Sequence, residues 1–226
     1  MLPMHSSSSP GCTLRRTLFR VTLAIGVLGA ATVAFAATPE AAFRPAFQQF
    51  QAARNGDGAA VERAAEQFSE LLKADPGNPV LMAYAGAAMS MKSRDAMLPW
   101  KKMSYAEDGL AQIDKALALL QPAHDAPLQN HTPGSLETRF IAASTFLSMP
   151  GMFNRGARGA ALLAQVRSSP LLPQAAPGFQ GAVLMRSAQQ ALQDKRLDDA
   201  RRDLNAVIDA HLPQAEAARA KLKELP

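Results

Sequence analysis

Proline and glycine interrupt this chain at short intervals, and the segments between them carry apolar residues at helical spacing. Phe43, Phe47 and Phe50 recur in this way before the Asn-Gly-Asp-Gly turn at 55–58. Alternating runs of Val, Ile and Thr, which are typical of strands, are absent. Apolar residues make up 48% of the chain but aromatic residues only 6%, and the many alanines suit closely packed helices. The sequence therefore predicts an all-α fold.

Residues 1–36 have the three parts of a signal peptide. A basic segment comes first, an apolar run follows over 21–33, and Ala34 and Ala36 are the small residues that a signal peptidase recognises. We expect cleavage after Ala36. The rest of the chain, residues 37–226, is then expected to be a helical repeat domain in the periplasm or outside the cell.

Two alternatives concern whether this segment is cleaved and which export route it uses. The apolar run is at the short edge of what spans a membrane, so it could stay as an inner-membrane anchor with the helices facing the periplasm. The pair Arg15-Arg16, followed by Leu18, Phe19 and Arg20, also resembles a twin-arginine export signal. The sequence leaves both alternatives open.

Much of the net positive charge comes from the signal segment. The formal charge is +5, from 24 basic and 19 acidic residues, and Arg15, Arg16 and Arg20 all lie before the cleavage site. Without them 21 basic residues face 19 acidic ones, a balance of +2, which gives no support to nucleic-acid binding. Cleavage would also remove Cys12, the only cysteine, so we expect no disulfide.

Two predicted helices, one that ends at Pro76 and one that begins at Asn78, carry the residue pattern of a known helical repeat. The residues that carry it are Ala64, Phe68, Leu71, Met82, Ala85, Gly86 and Met89. This pattern resembles the tetratricopeptide repeat, in which small residues let two helix backbones approach and larger ones fill the groove between repeats. The resemblance implies antiparallel helix pairs stacked as a short solenoid, with a concave surface for a peptide or protein.

The pattern recurs, less regularly, through residues 40–213. The matching residues are Gly109, Ile113 and Ala116 in the second unit and Leu184, Ala188, Ala191, Ala200, Leu204, Val207 and Pro213 in the last. Ser104 and Glu107 are spaced as a capping box and predict a helix start. Residues 136–149 and 155–166 predict a further helix pair with poorer agreement. A generic four-helix bundle is the alternative to repeats.

An insertion at about residues 93–104 separates the helices of the second unit and contains the only tryptophan. The candidate partner-binding residues in it are Met97, Trp100, Lys101, Lys102 and Met103. Tryptophan gives a large contact area at low entropic cost, so this loop is a candidate anchor for a partner. The alternatives are contact with an anionic membrane surface and a Trp100 that folds back over the end of a helix pair.

Methionine and histidine raise the question of a metal. Five methionines lie close together in the sequence: Met82, Met89, Met91, Met97 and Met103. Thioethers bind copper, but methionine also fills irregular helix grooves, which is the role we expect here. His124, Asp125 and His131 would need further ligands from elsewhere to bind zinc. We therefore predict no metal site and no cofactor.

Arg155 and Arg158 fall at a predicted helix start. Two cations are unfavourable there, because the helix dipole places positive charge at that end. Either an anionic group offsets them or they form an ordinary solvated surface.

The leading hypothesis is an exported tetratricopeptide-like interaction or scaffolding module without catalysis of its own. No nucleophile elbow, phosphate loop or pair of catalytic carboxylates is present. We expect a protein or peptide partner in an envelope complex, no nucleic acid, and a membrane only if the signal segment is retained as an anchor. The alternative is a carrier or accessory protein that holds a small molecule or metal in a Met-lined groove.

Overall fold

The structure, a computed structural model, describes residues 38–225, so the predicted signal segment and its cleavage site lie outside it. Within these residues the helices are α1 Glu40–Arg54, α2 Gly58–Ala74, α3 Pro79–Asp95, α4 Pro99–Ala118, α5 Gly134–Phe146, α6 Gly156–Arg167, α7 Pro177–Gln193, α8 Leu197–Asp209 and α9 Ala215–Lys223. A single antiparallel hairpin, β1 Pro127–Gln129 and β2 Thr132–Pro133, precedes α5. The predicted all-α fold is confirmed.

Local side-chain signals set several helix starts. Asn78 Oδ1 accepts hydrogen bonds from the amides of Val80 and Leu81 at 3.0 and 3.2 Å, and Pro79 occupies the first position of α3. Asp57 caps α2 in the same way. These groups satisfy amides that have no partner inside the helix, which is why the chain can turn sharply and begin a new helix here.

One predicted helix start is wrong. α4 begins at Pro99 rather than at the Ser104–Glu107 capping box, and Ser104 bonds to Asp108 inside the helix at 3.0 Å. Proline at the first position has the backbone angle that a helix needs, so α4 can begin before the box. Thr38 does not cap α1, because its hydroxyl donates to Asp75 Oδ2 at 3.4 Å instead.

Successive helices pack in adjacent pairs. α1 packs on α2, α2 on α3, α3 on α4, α5 on α6, α7 on α8 and α8 on α9. α5 also packs across α3, which is buried over most of its length. A helix with apolar residues on all sides must lie inside a domain. The core of the molecule is therefore built around α3.

The backbones of α3 and α4 approach each other closely at Gly86 and Gly109. A Cβ added to Gly86 would lie 2.7 Å from Gly109 O, and one added to Gly109 would lie 2.5 Å from Gly86 O. Such distances leave no room for a methyl group, so both positions need glycine. This backbone contact brings the middle of α3 against the middle of α4.

Three hydrophobic cores hold the described residues together: a small one of Ala53, Ala60 and Val61, and two more extensive ones. Of these two, the larger core includes an aromatic cluster in which the rings of Phe68 and Tyr84 stack with centroids 4.8 Å apart. The smaller core consists of Ala188, Leu204, Val207, Leu212 and Ala218. Of the other residues in the repeat pattern, Ala64, Ile113 and Ala200 are fully buried, whereas Leu71, Met89 and Leu184 are half-buried and Pro213 is exposed.

Candidate functional site

The beginning of α4 exposes large apolar side chains. Met97, Leu98 and Trp100 are 93%, 40% and 67% exposed, and Met152 is the only other exposed large apolar side chain among residues 38–225. Trp100 lies in the first turn of α4, directly after Pro99, so it does not cover the end of a helix pair. We call Met97, Leu98 and Trp100 the α4 apolar patch.

An open groove of about 590 Å³ lies beside this patch. Side chains from α1, α3, α4, α5 and α7 line it, together with residues 149–153. Of the predicted partner-binding residues, Lys102 and Met103 line the groove, whereas Met97, Trp100 and Lys101 do not. The structure therefore divides the predicted set between an exposed patch and a concave site.

The predicted methionines do not converge on one point. Met82 is in the core, Met97 is exposed, and Met91 and Met103 line the groove. Two methionines that the sequence did not single out, Met149 and Met152, also line it. Methionine thus lines part of the groove, but only two of these four methionines belong to the cluster in the sequence.

The charged side chains of the groove all have one sign. They are Arg54 at the end of α1, Arg94 at the end of α3, Lys102 in α4 and Arg186 in α7, and no Asp or Glu lines the groove. Arg186 is half-buried, and burial together with the nearby Arg54 lowers its pKa. The groove therefore has a positive potential that no carboxylate in its lining offsets.

Arg155 and Arg158 find their anionic partner within the chain. Asp114 of α4 forms ion pairs with both, and the Arg155 Nη2–Asp114 Oδ2 distance is 2.8 Å. Both guanidinium groups also lie over the ring of Phe146, 5.2 and 5.4 Å from its centroid. These contacts join α4, α5 and the start of α6, and no external ligand is needed to explain the two cations.

Glu137 forms a buried polar site at the other end of α5. Its Oε1 accepts hydrogen bonds from Tyr84 Oη at 2.7 Å and Asn130 Nδ2 at 2.8 Å, while its Oε2 has no partner among the described residues. Burial outweighs these two bonds and raises the pKa of Glu137 to about 7. A signal for this site was present in the sequence, because Glu137 shares a helix face with the apolar Phe140 and Ile141.

The described residues offer little for metal chemistry. His124 Nδ1 accepts a hydrogen bond from the Gln121 amide, and His131 is exposed in the turn of the hairpin. No group of three or more His, Cys, Asp or Glu side chains within residues 38–225 is placed to hold a metal ion. In the same part of the chain, no helix has the length and apolar character needed to cross a bilayer.

The chain matches no protein-family model, no curated protein and no solved structure. Its function has to be inferred from its own residues. The candidate functional sites are the α4 apolar patch, the groove lined by four cations, which we call the basic groove, and the buried Glu137.

Proposed function

We propose that this chain is an exported, tetratricopeptide-like module that binds a protein partner of an envelope complex and has no catalysis of its own. The observation that carries the proposal is the α4 apolar patch. Exposed apolar side chains are unfavourable in water, and a cluster of them on a folded surface is typical of a binding site. Tryptophan is the residue type most enriched at the energetic centre of such sites.

The position of the patch supports this role. Pro99 fixes the start of α4, and the Gly86–Gly109 contact holds α4 against α3, so the patch is presented on a rigid element. The exposed Lys101 and Lys102 follow it directly. We therefore infer a partner with an apolar centre and acidic residues around it, since opposite charges at a rim speed association.

The helix pairs support the repeat-like part of the proposal. Small residues at helix crossings and large residues between pairs are what the tetratricopeptide resemblance implies, and Gly86 and Gly109 meet in this way. The envelope location depends on the signal segment in residues 1–36. Export therefore needs its own test, in which the first residue of the protein recovered from the envelope is sequenced. We expect Ala37.

Site-specific crosslinking in intact cells tests partner binding. A photoreactive amino acid is placed at Trp100 or Met97, and a matched variant carries it at Glu216 of α9, whose side chain is 91% exposed. We expect one discrete protein adduct from both α4 positions and none from position 216. The proposal fails if α4 gives no adduct, or gives only the adducts seen at the control position.

A further inference from the structure

We propose that the basic groove binds an anionic amphiphile, a small molecule with one acidic head group and a hydrocarbon body, such as a long-chain carboxylate. Arg186 and Arg54 would hold the head group, and the methionine-rich wall would take the hydrocarbon chain. This inference goes beyond partner binding by the α4 apolar patch. The two sites have different residues, so either proposal can fail without the other.

Most of the arginines that form no ion pair within residues 38–225 line the groove. The arginines that form ion pairs within residues 38–225 are Arg44, Arg63, Arg155, Arg158, Arg167, Arg196, Arg201, Arg202 and Arg219. The others in this range are Arg54, Arg94, Arg139 and Arg186. Only Arg139 of these lies outside the groove. Guanidinium groups without a carboxylate are therefore concentrated at one place.

Arg186 is the cation of the groove that an anion would stabilise most. Arg54 and Arg94 lie in the last turns of their helices, where a positive charge is favourable. Arg186 is in the second half of α7, is half-buried, and makes no ion pair or hydrogen bond within residues 38–225. A partly desolvated charge without a partner is costly, and an anion in the groove would remove that cost. Its lowered pKa has the same origin, because burial and the charge of Arg54 both disfavour the protonated form.

The hydroxyl groups of the groove favour an amphiphile over a sugar or another polyol. Four of the five hydroxyl groups that line the groove, those of Ser90, Ser93, Thr145 and Ser148, each donate to a backbone carbonyl three or four residues earlier. Only the Ser144 hydroxyl has no partner among the described residues, and a single free hydroxyl cannot form the network that a polyol requires. The cations supply most of the free donors, and they select for an anionic group.

The rest of the wall suits a flexible hydrocarbon chain. Phe50, Met91, Met103, Ile141, Met149 and Phe153 all line the groove. Methionine side chains are flexible and polarisable, so such a wall adapts to chains of different shape. The volume of about 590 Å³ is in the range of about 300–1,000 Å³ that is usual for small-molecule sites.

Calorimetric titration of the purified full chain with dodecanoate, at concentrations below its micelle limit, tests the proposal. We expect saturable binding of dodecanoate and much weaker binding of dodecanol and of dodecyltrimethylammonium. Arg186→Met and Arg54→Met should each weaken dodecanoate binding about tenfold or more, because each removes a charge-assisted hydrogen bond. Arg54 is exposed, so its variant tests the site even if Arg186→Met folds poorly.

Arg139→Met is the matched control, since it removes the same charge from an arginine without an ion pair that lies outside the groove. Its affinity for dodecanoate should equal that of the wild type. The proposal is overturned if dodecanol binds as well as dodecanoate, if neither groove variant loses affinity, or if no binding is detected. It is also overturned if the protein binds anionic phosphatidylglycerol vesicles but not monomeric dodecanoate.

Discussion

Glu137 couples the stability of the fold to pH, in the opposite direction to an ordinary ion-paired carboxylate. Its pKa is raised from 4.5 to about 7 in the folded protein. Between these values the folded state binds the proton more tightly than the unfolded chain does. The contribution to stability is therefore complete below about pH 4.5 and is lost as the pH rises toward 7. A shift of this size corresponds to about 3 kcal/mol.

Glu137→Gln should remove this pH dependence. The glutamine Oε1 can still accept from Tyr84 and Asn130, but the side chain never carries a charge. At about pH 8 we expect the variant to be more stable than the wild type by up to about 3 kcal/mol, and at about pH 5 the difference should be much smaller. Urea unfolding at the two pH values measures both free energies.

The control for this prediction is Glu216→Gln, which changes an exposed carboxylate on α9. It should alter the free energy of unfolding little at either pH, because exposed ion pairs contribute little. A Glu137→Gln variant that differs from the wild type equally at both pH values would show that the buried carboxylate does not titrate in this range.

At the level of the elements, the α3–α4 pair is the most closely packed and decides where the functional surfaces lie. α4 contributes Trp100 to the α4 apolar patch and Lys102 and Met103 to the groove. α3 contributes Met91 and Arg94 to the same groove. A small change in the distance between these helices would therefore alter both sites.

Gly109→Ala should destabilise the protein. The added methyl group would lie 2.5 Å from a backbone oxygen of α3, which cannot move aside without separating the helices. We expect a loss of about 1–3 kcal/mol, as for other overpacked interfaces. Urea unfolding of this variant, compared with the wild type, gives the value.

Gly178→Ala in α7 is the matched control, because a Cβ at this position would have no atom within 4 Å. It should leave stability unchanged or raise it by about 0.5–1 kcal/mol, since alanine favours the helix. Equal effects of the two substitutions would argue that the α3–α4 contact is looser than the structure shows.

The elements that the sequence predicts well are those with local signals. Asn78 and Pro79 mark the start of α3 because the cap and its amides are neighbours in the chain. The start of α4 was misplaced, because the Ser104–Glu107 box has a capping pattern and only the wider context makes Pro99 the first residue. The basic lining of the groove could not be predicted, since Arg54 and Arg186 are far apart in the sequence and neither has a distinctive neighbourhood.

At the level of the whole molecule, α7 belongs to both of the more extensive hydrophobic cores. Val183 and the partly buried Phe179 pack into the larger core, whereas Leu184 and Ala188 pack into the smaller one. The ion pair between Arg167 of α6 and the buried Asp203 of α8 adds a second connection. α8 and α9 thus belong to a hydrophobic core of their own. α7 and the Arg167–Asp203 ion pair connect this core to the larger one.

Leu204→Ala should lower the stability of the smaller core without lowering that of the larger one. Removing this fully buried side chain from the smaller core should cost about 2–5 kcal/mol of local stability. We expect amide hydrogen exchange in α8 and α9 to quicken, with little change in α3, because local opening of the smaller core does not require the larger one to open. Mass spectrometry of peptide fragments measures this.

Leu81→Ala, in the fully buried part of α3, is the comparison. It should quicken exchange in the helices around the larger core. If Leu204→Ala instead quickens exchange equally in every helix, the described residues open as one cooperative unit.

The start of the domain forms hydrogen bonds with a part of the chain that is synthesised much later. The carbonyl oxygen of Thr38 accepts a hydrogen bond from Gln129 Nε2, 91 residues further on, and the Glu40 carboxylate accepts one from the Asn130 amide, 90 residues further on. A ribosome produces the chain from its N-terminus, so these bonds cannot form until the hairpin has been synthesised. The contacts at the start of the domain are therefore of long range in the sequence, and such contacts form more slowly than the local contacts within a helix.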